Sequence, residues 1–416
     1  MDLSGTHIFK NEISPELLAS AKRFGLDIVG GKVRRSSSRL CLGVEHGDYN
    51  GTQLFGVGTD RFIWLAYKPN GTNKVRLHSC NFGDEGLVEF EIGRVPPPQS
   101  KGIVDRWARY PMGVDYVLGQ EGLAMDQGYD GVLLGNIPGG GMSRSASLSL
   151  NLILTLLEVN ELSLENEFRI VELAQAVENV YVGSPCGLLD QIMIYYAKEN
   201  MGTLYDPQTK AINYVPLSDK VEDFCFMILD TGTVRPGLEQ STYKVRRQEC
   251  DDFTRLLQAD GFAIEHLADV EDDETYGQIA DRFRDSHGEM FSRFDYIFQA
   301  QQRFESMLTA WREGNMAQVG RVFREDGFGL RDDYKISGPE LEVMCDIARS
   351  VPGVLGERML GGGDKGASGA IVRAEAVEEL KAAIDREYPV KCPDYADKYA
   401  VHVCRPVGGI GIIEEF

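Results

Sequence analysis

The stretch "NIPGGGMSRSASLSLN", residues 136–151, decides how this chain is read. Three adjacent glycines, Gly139, Gly140 and Gly141, lead into serines and then into an apolar run. Glycines let a backbone approach phosphate oxygens closely, and successive N–H groups at a helix N-terminus form an anion site. Serine hydroxyls at a helix start ligate Mg²⁺ or donate to phosphate. No lysine follows the glycines as a P-loop requires, and Arg144 interrupts the serines. On these residues alone two readings stand: a phosphate cradle, or a strand-to-helix connector capped by Ser143 or Ser145.

Outward from the loop, "GVLLGN" reads as the strand before it and "SASLSLNLILTLLEVN" as a helix apolar on nearly every side, hence buried. Upstream, "SPELLASAKRFG" is predicted as a helix with Ser14 as N-cap and Pro15 at the first position. Strand-like segments follow in "SSRLCLGVEH", "TQLFGVGTDRFIWLAYK" and "LVEFEIGRV", with Asn-Gly turns at 50–51 and 70–71. "ENEFRIVELAQAVENVYVG" is predicted helical, as is "AEAVEELKAAIDREY", which puts Val377, Leu380, Ile384 and Tyr388 on one face. The turn-rich "TLYDPQTKAINYVPLSDK" marks a boundary. The expectation is a two-domain α+β chain, residues 1–215 and 216–416.

The length of 416 residues, 43% hydrophobic and 26% charged, suits two or three soluble globular domains. A net charge of −21 argues against nucleic acid and anionic membrane as partners, yet leaves room for an anionic substrate held by local Arg, Lys and N–H groups. The eight cysteines are scattered without CxxC spacing, which reads as buried thiols in a reducing compartment. The opening "MDLSGTHIFKNEIS" lacks the layout of a signal peptide and no run of 18 apolar residues occurs, so a cytoplasmic protein is expected.

Three more stretches carry chemistry. "RMLGGGDKGASGAIV", 358–372, is a second glycine cluster, able to converge with the first on one polyphosphate or to pack tightly against another backbone. "VGSPCGLLDQIMIY" holds Asp190 near a helix start, where an N-cap and a base are both open readings. "RLCLGVEHGDYNG" gathers Arg39, Glu45, His46 and Asp48 at a strand end, a set suited to a polar ligand such as a sugar or to a solvated turn.

Together these segments resemble the GHMP kinases, and within them the galactokinase branch. "SRLCLGVEHGDYN" is similar to the branch's G-R-V-N-L-I-G-E-H-T-D-Y-N, and "IPGGGMSRSAS" to P-x-G-x-G-L-S-S-S-A-S. "YVGSPCGLLDQ" resembles Y-V-G-V-P-C-G-I-M-D-Q, and "GERMLGGGDKGASGAIV" resembles G-A-R-M-T-G-G-G-F-G-G-C-A-I-A-L. "RWARYPMGV" and "DTGTVRPGLEQSTYKVRRQEC" give weaker matches, to W-x-N-Y-V-x-G-V and N-S-x-V-R-H-x-L-x-x-S-x-Y-x-x-R-R-x-x-C. The motifs run in order from about 36 to 375.

The resemblance implies a GHMP-kinase-like fold, with a ribosomal S5-like N-terminal domain, a ferredoxin-like C-terminal domain, and the site in the cleft between them. It implies transfer of a phosphoryl group from ATP, with Mg²⁺, to the anomeric hydroxyl of galactose. Asp190 matches the catalytic aspartate and Arg39 the arginine beside it. Ser145 and Glu178 match the Mg²⁺-holding positions, and Glu45, His46, Asp48, Gly187, Asp190 and Tyr243 match hexose contacts. Gly139, Gly140, Gly141 and Ser143 fall in the phosphate loop, and Trp107 falls where the family has an aromatic near adenine, core packing being its other reading. The implied partners are a small sugar and ATP, with a monomer favoured. Another aldose, such as N-acetylgalactosamine, and a non-catalytic sugar-sensing role are the alternatives. This chain departs from the motifs at "SSSR" in place of Ala-Pro-Gly-Arg, at Arg144, at Asp364-Lys365 and at Asp230-Thr231.

Overall fold

The computed structural model describes residues 13–101, 103, 106–234 and 242–415; His7 and the motif residues 235–241 lie outside them. Along the chain come α1 (Ser14–Phe24), β1 (Lys32–Gly43), β2 (Leu54–Pro69), β3 (Lys74–Ser79), β4 (Leu87–Glu91), α2 (Arg109–Gln120), β5 (Tyr129–Gly135), α3 (Arg144–Val159), α4 (Phe168–Ala176), α5 (Leu189–Tyr195), β6 (Met201–Asp206) and β7 (Ala211–Pro216). Then follow β8 (Phe224–Asp230), α6 (Thr242–Ala259), α7 (Asp273–Phe283), α8 (Gly288–Glu313), α9 (Met316–Asp332), α10 (Pro339–Ser350), β9 (Val354–Met359), β10 (Ala367–Arg373), α11 (Val377–Lys391), β11 (Ala400–Cys404), β12 (Pro406–Val407) and β13 (Ile410–Glu415).

The first sheet has the order β13-β1-β2-β5-β3-β4, with β6 and β12 also pairing β2, and β7 pairing β6. Its faces follow from the alternation in β2. Phe62, Trp64 and Ala66 join Leu17 and Ala21 of α1 in one core, while Ile63, Leu65 and Tyr67 join α3 in the large core. Helix α3 is buried, as its all-round apolar sequence predicts, and its polar residues find partners: Asn151 Nδ2 and Ser147 Oγ donate to Ser36 Oγ at 3.1 and 2.8 Å. The serines that replace the motif's Ala-Pro-Gly are thus buried in β1, and Ser38 Oγ donates to the Met142 carbonyl at 2.5 Å, tying the strand to the glycine loop.

The second sheet is antiparallel, ordered β11-β8-β10-β9. In β8, Cys225, Met227 and Leu229 face a core made with α10 and α11, whereas Phe224, Phe226 and Ile228 face the large core. Burial on both faces explains the unbroken run "FCFMIL". Leu380, Ile384 and Tyr388 are buried on α11 as the periodicity predicts.

Two cap expectations are corrected. Helix α1 already contains Ser14, and its N-cap is Ile13, without a side-chain bond. Ser143 does occupy the N-cap of α3, but at φ 56° and ψ 42°, and its hydroxyl makes no capping bond. The left-handed turn needed to close the glycine loop carries that hydroxyl away from the helix N–H groups.

Trp311 joins the layers. It is fully buried on α8, meets Phe55 of β2 edge-on at 5.5 Å, and donates Nε1–H to the Val215 carbonyl at 3.0 Å. Trp311→Ala is expected to cost about 3–5 kcal/mol, and Trp311→Phe about 1–3 kcal/mol, in the free energy read from denaturant midpoints.

Candidate active site

Between the two sheets lies a cleft of about 510 Å³. Every residue to which the resemblance gives a site role lines it: Arg39, Glu45, His46, Asp48, Trp107, Gly139, Gly140, Gly141, Ser143, Ser145, Glu178, Gly187, Asp190 and Tyr243. Their carriers are local and unlike one another. Arg39 sits near the end of β1, Asp190 in the first turn of α5, and Ser145 in the first turn of α3. Glu178 sits on a single turn of π-helix, Val177–Val182, which continues α4. Such turns change the angular phase of a helix and recur at functional sites.

At the floor, Asp190 Oδ1 accepts from Arg39 Nε at 2.7 Å and lies 2.5 Å from Nη2. Arg39 is 1% exposed and also donates Nη1–H to the Gly141 carbonyl at 2.8 Å. The Asp190 side chain remains 31% exposed and the Arg39 side chain 2%, and both line the cleft. Burial opposes the Arg39 charge, but Asp190 and Glu45 outweigh it and its pKa is raised.

On one side lie the glycine loops. A Cβ on Gly140 would stand 2.4 Å from Gly366 Cα, so the two loops touch backbone to backbone while both line the cleft. The converging and close-packing readings of the second cluster therefore hold together. Thr231 and Thr233 secure the contact: Thr231 Oγ1 donates to the Gly366 carbonyl at 2.5 Å, and Gly366 N–H donates to Thr233 Oγ1 at 2.8 Å. Asp364 Oδ2 accepts from Thr242 N–H at 2.8 Å.

On the other side lies a polar, aromatic pocket. Asp48 Oδ2 accepts from Leu189 N–H at 3.3 Å, and a Cβ on Gly187 would meet that oxygen at 1.8 Å, so only glycine fits there. Burial pushes Asp48 up to about 6. His46 Nδ1 shares a hydrogen bond with Tyr49 Oη at 2.9 Å, Tyr49 in turn meets Tyr334 Oη at 2.7 Å, and the Tyr243 ring stands 5.4 Å from the imidazole. Glu45 pairs with Arg358 Nη1 at 3.0 Å, both being buried.

The sequence reading passed over Arg358, Tyr49, Tyr334 and Gln191. Arg358 stands inside the quoted "GERMLGGG", where the glycines took the attention, and its partner Glu45 is 313 positions away. Gln191 Nε2 donates to Glu178 Oε1 at 3.1 Å.

The residues fit a phosphate chain with one divalent cation. Ser145 Oγ donates to Glu178 Oε2 at 2.8 Å, two adjacent oxygens that could ligate such a cation. Burial, and then the charge of Asp190, push the Glu178 carboxyl up to about 7, a cost that a cation would offset. Among the described residues no group of three or more His, Cys, Asp or Glu could hold a metal, so substrate oxygens and water would supply the other ligands, as Mg²⁺ commonly accepts. Trp107 is 5% exposed, and its indole Nε1 has no hydrogen-bond partner among the described residues.

The raised Glu178 value has a sign. From about 4.5, the ordinary value, to about 7, the folded state holds more protons than the unfolded one, so stability falls as pH rises through that window. The wild type should lose on the order of 1–3 kcal/mol relative to Glu178→Gln between pH 4.5 and 8, measured as paired unfolding free energies.

Among the described residues no helix is long and apolar enough to cross a membrane. Residues 112–198 match the family described as GHMP kinases N terminal domain. The chain is 30% identical to the galactokinase of Enterococcus faecalis over 366 residues, 88% of this chain and 92% of that one. It is 30% identical to the galactokinase of Bacillus subtilis, with 88% and 91% covered. The crystal structure of Lactococcus lactis galactokinase complexed with galactose matches with a TM-score of 0.87 at 26% identity, covering 96% of this chain and 100% of that one. Methanococcus jannaschii mevalonate kinase shares the fold, with a TM-score of 0.61 at 14% identity and coverage of 91% and 99%. The α+β architecture and the cleft-lining motifs therefore have one origin: the chain belongs to the GHMP kinases, in their galactokinase branch, and is a phosphotransferase with an alcohol group as acceptor.

Proposed function

We propose that the protein transfers the γ-phosphoryl group of ATP to the anomeric hydroxyl of galactose, giving galactose 1-phosphate and ADP. The observation that carries this reading is the Arg39–Asp190 pair, 2.7 Å apart on the floor of a cleft whose wall is the glycine loop. Asp190 accepts and orients the proton of the acceptor hydroxyl, whose oxygen forms the new bond to phosphorus as the β–γ bridging bond breaks. Arg39 holds that carboxylate in place and lends positive charge beside the transferring group. Phosphoryl transfer has a loose transition state, so this alignment and charge matter more than a strong base.

Glu45, His46, Asp48, Gly187 and Tyr243 bind the hexose hydroxyls in this reading. Buried Arg358 holds Glu45, and the Tyr49–Tyr334 pair holds His46. Gly139, Gly140, Gly141 and Ser143 hold phosphate, and Trp107 lies against the base. Mg²⁺, held by Ser145 and Glu178, supplies further charge neutralisation when bound. We divide the chain near 215/216, count residues 406–415 with the first unit because they pair with its sheet, and take the protein to be cytoplasmic and monomeric.

ADP release against a panel of free sugars tests the reading. Turnover with galactose is expected, with Asp190→Asn lowering kcat by about 10²–10⁴ while nucleotide still binds. No turnover with any hexose would sink it, and turnover confined to N-acetylgalactosamine or another aldose would reassign the acceptor. Gly187→Ala, which forces a Cβ onto Asp48, should raise KM for the sugar at least about tenfold and leave KM for ATP in place.

A further inference from the structure

Between the π-helical turn and α5, residues 183–188 run without helix or strand. Such a segment keeps its shape only through hydrogen bonds to its neighbours. The backbone of Cys186, next to Gly187, receives them from two parts of the chain. Its N–H donates to Asn179 Oδ1 at 2.7 Å, and its carbonyl accepts from Asn179 Nδ2 at 3.1 Å and Gln175 Nε2 at 3.0 Å. Both of these side chains belong to α4 and the turn that continues it. The same carbonyl also accepts from Arg247 Nη1 at 3.3 Å, and Arg247 stands on α6, beyond β8 of the second sheet.

The Arg247 guanidinium lies, in addition, 5.3 Å from the centroid of the Tyr49 ring, and Tyr49 Oη is the partner of His46 Nδ1. One cation therefore touches two parts of the polar, aromatic pocket: the turn that carries Gly187 and the ring behind His46. Tyr243, one helical turn earlier on α6, meets Tyr49 at 5.6 Å and lines the cleft. Arg247 is not among the lining residues. The adjacent Arg246 is engaged elsewhere, with Glu249 and the Lys335 carbonyl. Asp48 packs against the Gly187 turn and is the carboxylate of this pocket. Burial, Asp190 and Glu45 oppose its charge, while Leu189 N–H and Arg247 favour it, and Cys186 and Tyr243 also face it.

We propose that Arg247 is a positioning residue for the sugar: it fixes the Cys186–Gly187 turn against the Tyr49–His46 pair, and so shapes the acceptor pocket without touching the substrate. This rests on the reading of that pocket as the acceptor site. A guanidinium suits the task, because its edge donates to a carbonyl while its face lies over a ring. An ammonium is a point charge and does not span both contacts. The positive charge also favours the ionised form of Asp48, which accepts hydrogen bonds from hydroxyls.

Steady-state kinetics of the full-length protein, with galactose and ATP varied in turn across a range of pH, test the role in Arg247→Met and Arg247→Lys. Arg247→Met is expected to raise KM for galactose about tenfold, with kcat and KM for ATP staying within about twofold of the wild type. In the wild type, KM for galactose should rise as pH falls through the Asp48 value of about 6, where the carboxyl takes up a proton. Removing the Arg247 charge disfavours the carboxylate, so in the Met variant this rise begins at higher pH, by about half a unit or more. Arg247→Lys keeps a charge, leaves the pH profile in place and raises KM for galactose about threefold. Lost packing alone would not move the profile.

KM for galactose at the wild-type value in both variants, a Met variant with an unmoved pH profile, or kcat and both KM values worsening together overturns the role. If the Met variant does not fold, the Lys variant decides: KM for galactose raised with KM for ATP unchanged supports the role, and no change overturns it. Wild type that turns over no hexose overturns the acceptor reading and this role together. Wild type active only on another aldose overturns the choice of galactose, and KM for that aldose then decides Arg247.

Discussion

A guanidinium shut away from water must be met by a carboxylate and by carbonyls, or the fold loses several kcal/mol. Arg39 imposes that constraint. To satisfy it, β1 must bring its end to the first turn of α5 and to Gly141. A second buried arginine works between the sheets: Arg358, on β9 of the other sheet, reaches across to Glu45 and to the Cys41 carbonyl. Arg39 thus ties the first sheet to its own helix and glycine loop, and Arg358 ties the second sheet to the first. The two sheets cannot drift apart without exposing an unpaired charge, so the cleft keeps its width.

The same economy governs the carboxylates. Glu178 and Asp48 are both pushed up by burial, and both feel Asp190. Asp190 has the Arg39 guanidinium bonded directly to it. Three acids crowded into one cleft thus have different surroundings, set by burial and by how closely a guanidinium approaches. Such a site is tuned to receive positive charge with its substrates.

Much of this was legible in the sequence because the elements are locally coded. The apolar run of 144–159, the Asn-Gly turns and the faces of α11 follow from periodicity and turn chemistry, and they stand where expected. That scattered motifs would meet in one cleft came from their order and register, not from spacing. Pairings across the fold were not legible. Glu45 with Arg358, and Tyr49 with Tyr334, are separated by hundreds of residues, and no local pattern marks a buried partner. Caps failed for a related reason: the conformation of Ser143 is set by closure of the glycine loop against the second sheet, which a local rule does not contain.

The return of β12 and β13 to the first sheet gives the chain an order of assembly. During synthesis β1 through β7 emerge first, yet the outer edge of β1 is paired by Ile410–Glu415, made after the whole second sheet. Until then β1 presents an open row of N–H and C=O groups, a template for wrong partners. The nascent first layer therefore waits until β13 closes it. A ribosome that stalls, or a protease that cuts, between Cys404 and Ile410 leaves a chain with every residue of the cleft present and its sheet unsealed.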